Sequence, residues 1–146
     1  MEEMNQVKIF TIEEANKLIP KLSDIIQELH IKRQAIMGLE VEIDALELVA
    51  DKDKDGASPL VGSKIDDYNL LIQSFYDLID QVHELGCFLK DLDLGLIDFC
   101  CLYQGKMVYL CWRAGEPEIS FWHDIGKGYT FRQPVVYESD GRESSG

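Results

Sequence analysis

The sequence predicts an α+β fold, a long antiparallel helical hairpin packed on a small three-stranded antiparallel β-meander. Three observations predict it. Apolar residues recur at steps of three and four over the first third of the chain, a second stripe of the same period follows a polar connection, and after Cys87 the period falls to two. Of 146 residues, 46% are hydrophobic, enough for one modest core without disulfides or metals. A single domain over 1 to 137 is therefore expected, with 138 to 146, polar and without periodicity, as a disordered acidic tail.

Thr11 followed by Glu14 makes a capping box, each side chain satisfying a free amide, with Phe10 before it as a hydrophobic staple. The first helix is predicted over about 12 to 50, its seam running through 15, 18, 22, 25, 29, 36, 39, 43, 46 and 50, with Lys32 as the missing member. Pro20 falls inside this seam. An interior proline removes one backbone bond and clashes with the carbonyl of Asn16, so a kink or break is expected there.

Residues 51 to 56 read DKDKDG, the opening of an EF-hand calcium loop. Such a loop needs a bidentate glutamate at its twelfth position, which here is Gly62, and Pro59 stiffens the segment that ought to wrap the ion. Asp51, Asp53 and Asp55 therefore read as a connection between helices. Ser63 with Asp66 marks the second start, and a stripe from Ile65 to Leu85 followed by Gly86 predicts a helix over about 63 to 86. At about 1.5 Å per residue the helices would span about 60 Å and about 35 Å. Either the Pro20 break folds the first turns back, or a partner covers the overhang.

Strands are predicted at 96 to 103, 106 to 113 and 118 to 123, with turns at Gln104-Gly105 and at Ala114 to Pro117. With a two-residue and then a four-residue hairpin, Ile97, Phe99, Cys101, Val108, Leu110, Trp112, Ile119, Phe121 and His123 share the core face. The other face then carries Asp98, Cys100, Tyr109, Cys111, Arg113, Glu118, Ser120 and Trp122, with Arg113 opposite Glu118.

With 14 basic against 27 acidic residues, the net charge of -13 repels phosphate backbones and anionic lipid surfaces, so neither nucleic acid nor membrane is expected as a partner. No apolar run approaches the roughly 18 residues of a membrane span. Cysteines at 87, 100, 101 and 111 form no CxxC pair, and no amino-terminal signal segment is read, so reduced thiols in a cytoplasm are expected.

The stretches FTIEEANKLIPKL at 10 to 22 and LIDFCCLYQGKMVYLCWRAGEPEISFWH at 96 to 123 resemble domain of unknown function 2203, a bacterial family of small proteins. The resemblance extends from Phe10 to about Pro134 and implies no activity, since the family has none to carry over.

Site candidates follow from residue chemistry. Arg113 flanked by Asp98 and Glu118 can hold a polar ligand, although an ion pair on a solvated face is the plainer alternative. Glu116, in the turn before Pro117, is placed for general acid or base work, and His123 for a base or a metal ligand across from Cys101. Tyr109 and Trp122 on the second face need cover from a tail, a partner or a ligand. Zinc requires three or four converging ligands, and Glu118 and His123 face opposite ways in this register, so no metal and no other cofactor is expected. A thiol nucleophile would need an electropositive setting that this acidic chain lacks. The leading expectation is a non-enzymatic domain that self-associates, as a dimer, through the helical seam. The alternative is a small-molecule-binding or metal-assisted enzyme with its site on the meander.

Overall fold

The computed structural model describes residues 7 to 52 and 58 to 137. The capping box forms as read: the Thr11 amide donates to Glu14 Oε1 and the Glu14 amide to Thr11 Oγ1, each at 3.0 Å. It starts α1 (Ile12–Lys52), which runs without interruption through Pro20, so the expected break is not found. The helix survives the lost bond because Pro20 faces solvent, where the carbonyl of Asn16 can bond water, while Ala15, Ile19, Leu22, Ile25 and Ile26 are buried around it.

The second helix, α2 (Ser58–Glu84), begins five residues before the Ser63 start read from the sequence. Pro59 allows this, because in the first turn its missing amide would have had no helical partner. Gly62 lies inside α2, so the twelfth position of the calcium frame is a helical residue without a side chain, and Asp51 belongs to the last turn of α1. Asp53 and Asp55 lie outside the described residues. Among the described residues no helix is long and apolar enough to cross a membrane.

The sheet has five strands in sequential antiparallel order, not three: β1 (Phe88–Asp91), β2 (Leu96–Tyr103), β3 (Lys106–Arg113), β4 (Phe121–Asp124) and β5 (Gln133–Pro134). The two additional strands sit at the edges. β1 is four residues long with an irregular register between Leu89 and Asp91, and β5 is two residues ending in proline, so neither is long enough to display a period of two.

The β2–β3 hairpin has the expected register, from Leu96 opposite Arg113 to Tyr103 opposite Lys106. Its two turn residues both take positive φ, Gln104 at 53° and Gly105 at 79°, as a tight two-residue turn requires. The next register differs by one residue. Leu110 lies opposite Trp122 and Tyr109 opposite His123, where the sequence reading had placed Arg113 opposite Glu118. A one-residue slip turns over every side chain of a strand. His123 and Phe121 therefore move to the face of Tyr109, and Trp122 to the face of Leu110.

The cause lies in the connection before β4, which folds as a loop. The Glu116 amide donates to the Arg113 carbonyl at 2.9 Å, the Arg113 amide to Glu116 Oε1 at 2.9 Å, and Trp112 Nε1 to the Glu116 carbonyl at 2.9 Å. The Ile119 amide then donates to Asn16 Oδ1 on α1 at 2.6 Å, so this residue is fixed by the helix and not by the hairpin.

The chain divides into two compact units, one of residues up to Ile26 and from Gln81, the other Gln27–Asp80. In the first, the opening turns of α1 lie against one sheet face: the Phe10 and Phe99 rings are 5.1 Å apart edge to face, and the Phe10 amide donates to the Cys100 carbonyl at 2.7 Å. Trp112, Phe99, Leu22, Ile97 and Leu110 are fully buried there. In the second unit α1 and α2 run antiparallel, joined by Lys64 to Glu42 at 2.9 Å and by the Tyr68 hydroxyl donating to Glu40 at 2.8 Å.

Gly95 tests the first unit's packing. It takes φ +68°, and a Cβ there would lie 2.6 Å from that of Ala114, whose amide donates to the Gly95 carbonyl. Gly95→Ala is expected to lower the urea midpoint by the equivalent of about 2 kcal/mol. Gly105→Ala, at φ +79° but with open space around it, should cost roughly half as much.

Candidate functional site

The slipped register assembles a cluster that the sequence reading did not. Asp98 on β2 lies opposite Cys111 on β3, and Tyr109, two residues away on β3, lies opposite His123 on β4. All four share one face. His123 Nε2 is 3.1 Å from Asp98 Oδ2, and the Cys111 thiol also bonds the Asp98 carboxylate. Asp98, His123 and Cys111 are 3%, 2% and 1% exposed, so this is a buried polar group and not a solvated surface.

Proton counting restricts its states. His123 Nδ1 is 3.0 Å from the Asp124 carbonyl, which can only accept, so Nδ1 carries a proton. Nε2 faces a carboxyl oxygen, so a second proton lies between the ring and Asp98, on one or the other. The pair is neutral overall in either case, as burial of this depth requires. Burial raises the Asp98 carboxyl above the ordinary aspartate value, against the opposing pull of His123, the Cys111 hydrogen bond and Lys90.

The thiols are inert in this setting. Burial, followed by the charge of Asp98, pushes Cys111 up to about 12, and burial alone takes Cys87 there as well. All four cysteines are free and buried. Iodoacetamide is therefore expected to label them at least about 100-fold more slowly in the folded protein than in denaturant, as read by intact mass. Rapid labelling of a native cysteine would contradict this.

The remaining sequence candidates divide among four places. Arg113 does not meet Glu118: its Nη1 donates to the Tyr129 hydroxyl at 2.7 Å. Glu116 accepts from Arg132 at 3.0 Å, and the Arg132 guanidinium lies 4.0 Å from the Phe121 ring centroid and 4.4 Å from that of Tyr129. Arg132 also donates to the Cys111 carbonyl at 3.4 Å, which brings the C-terminal segment onto the sheet face holding the cluster. Glu118 is exposed. Trp122 stands on the opposite face, 5.5 Å from the Tyr103 ring and 5.4 Å from the Lys106 ammonium. Tyr109 alone of the others borders the cluster, its ring 5.6 Å from His123 and 6.3 Å from Phe88.

Cys111 and Arg132 are the residues the sequence reading did not place among the candidates. Cys111 was legible as a neighbour of Asp98, but nothing marked it until His123 came to the same face. Arg132 lies in GKGYTFRQP, a stretch whose glycines and proline carry no periodicity.

Two helices and a five-stranded antiparallel sheet, carrying a buried carboxyl, thiol and imidazole on one face, define an α+β protein. Residues 8 to 135 match DUF2203, a family described as an uncharacterised conserved protein, and the chain belongs to that family. No curated protein and no solved structure matches it.

Proposed function

We propose that the protein is a non-enzymatic association domain, in which two copies pair through α1 of the second unit, antiparallel about Val41. The observation that carries this is an inverted apolar balance. In that unit Leu29, Ile36 and Leu78 are buried, whereas Met37, Val41, Leu48, Val49, Leu60 and Leu70 are at least half exposed. Among the described residues of this unit more large apolar side chains are at least half exposed than are buried, the others being half-buried, which leaves apolar surface for a partner.

The overhang inferred from helix lengths no longer supports this, because α1 up to Ile26 is covered within the first unit. What supports it is a second stripe. Met37, Val41 and Leu48, at 51%, 69% and 65% exposure, follow steps of four and seven and so line one face. At about 100° per residue, that face is turned roughly 160° from the one carrying Ile36, Leu39, Ile43 and Leu46.

A second copy fits this face in charge and shape. Antiparallel pairing about Val41 sets Met37 opposite Ala45 and brings Arg33 of one helix near Glu47 of the other. Gly38 has open space beside its Cα, which allows close approach. A weak, transient pairing is expected, with a dissociation constant on the order of 10 μM. Light scattering on the eluting full chain should show a mass rising from one chain towards two over about 1 to 200 μM. A constant single-chain mass would contradict the proposal.

The alternative of a small-molecule enzyme on the meander has less support. Its ligand set was Asp98, Arg113, Glu116, Glu118 and His123, and among these Asp98 and His123 meet each other while the rest are engaged elsewhere or exposed.

A further inference from the structure

We propose that Asp98, Cys111 and His123 form a binding site for a thiophilic divalent cation, with Zn²⁺ the ion whose preferences they match. One ligand atom from each residue lies within 4.8 Å of the other two. An ion held at about 2.0 to 2.3 Å by tetrahedral ligands keeps those ligands roughly 3.3 to 3.8 Å apart. The 3.1 Å between Asp98 Oδ2 and His123 Nε2 is already close to that spacing. The ligand types are mixed as zinc accepts them: one carboxylate, one thiolate and one imidazole. Glu118, the residue whose orientation argued against zinc in the sequence, is not needed.

The surroundings supply what a metal ligand set requires beyond distance. The Asp124 carbonyl, 3.0 Å from His123 Nδ1, fixes the tautomer that turns Nε2 towards the other two ligands. The three ligands sit on three adjacent strands, which hold them more rigidly than loops would. Other charged or titratable groups around the cluster are Lys90 from β1, Cys100 and Tyr109 on the central strands, and Arg132 from the C-terminal segment.

The charge balance closes. Without metal the cluster is neutral, with one proton on the thiol and one between Asp98 and His123. Zn²⁺ displaces both, leaving carboxylate, thiolate and neutral imidazole on the dication, again neutral overall. Burial that disfavours an isolated ion thus tolerates this one. Three protein ligands leave a fourth position for water or a small anion.

The test uses Co²⁺ as a spectroscopic substitute. The full chain is refolded from denaturant with CoCl₂, so that access to the buried cluster does not limit binding. The expected result is one Co²⁺ per chain, with a thiolate-to-cobalt charge-transfer band in the near ultraviolet and displacement by equimolar Zn²⁺. Cys111→Ser should abolish the band and weaken Co²⁺ binding at least about 100-fold, and His123→Gln should weaken it comparably. Cys87→Ser removes a buried thiol outside the cluster and should leave the band intact. Circular dichroism identifies any variant that fails to fold. For such a variant, wild type against Cys87→Ser, together with a rise in wild-type melting temperature on adding Zn²⁺, decides. A folded wild type with no charge-transfer band, or a band unchanged in folded Cys111→Ser, overturns the proposal.

Discussion

Asp98→Ala is expected to lower the free energy of unfolding by about 3 to 5 kcal/mol, the range for breaking a buried hydrogen-bonded pair by removing one partner. The side chain is 3% exposed and is hydrogen-bonded to both His123 and Cys111. Its loss leaves the imidazole and the thiol without their shared partner. Denaturation in urea at neutral pH measures the effect. A change within about 1 kcal/mol would mean that the cluster relaxes onto other partners.

His123→Gln resolves the same interaction by pH. Burial raises the Asp98 carboxyl from 3.8, and His123 is the leading influence that opposes the rise. For a carboxyl raised on folding, the stabilising contribution is complete below the unfolded value and is lost as pH rises through the folded value. Removing His123 lifts the folded value further, so as pH rises above the wild-type folded value, itself above about 4, the variant should go on losing stability where wild type no longer does. Urea midpoints of both proteins over that rise in pH measure it. A difference that stays constant with pH would contradict the coupling.

Val41→Glu has the largest expected effect on association. Val41 is 69% exposed in the single chain, so a glutamate there removes almost no packing from one copy. At the centre of an antiparallel pair the two copies would set glutamate against glutamate, replacing an apolar contact by like charges and weakening the dimer at least about 100-fold. The folded stability of the single chain should change by less than about 0.5 kcal/mol. Sedimentation equilibrium measures the first quantity, and urea denaturation at low concentration the second.

The parts of the fold that were legible share one property: a local pattern decided them. The Thr11–Glu14 box, the Gln104-Gly105 turn and the faces of β2 and β3 each depend on residues within a few positions, and each is found as read. The parts that were not legible depend on distant partners. The start of β4 is set by Asn16, more than a hundred residues earlier, and no count of turn residues between Arg113 and Phe121 reveals it. Pro20 fails to break α1 because of burial around it, which a helix-period pattern shows but does not weigh.

The site shows how far one such error travels. Asp98 and His123 were both named as candidates, and Cys111 was assigned to the face of Asp98. A slip of one residue in β4 put His123 on the other side of the sheet from Asp98, across from Cys101. The unusual feature was visible from the start: a carboxylate in the middle of LIDFCCLY, where a buried strand calls for an apolar residue.

Cross-linking through an introduced cysteine tests the association most directly, because the native thiols are all buried and do not compete. In an antiparallel pair centred on Val41, residue 41 faces its own copy, so Val41→Cys should oxidise rapidly to a covalent dimer. Leu70→Cys, on α2 and also 69% exposed, is the matched control and should remain a single chain under the same conditions. Equal rates of cross-linking at positions 41 and 70, or none at 41, would contradict pairing through this face of α1.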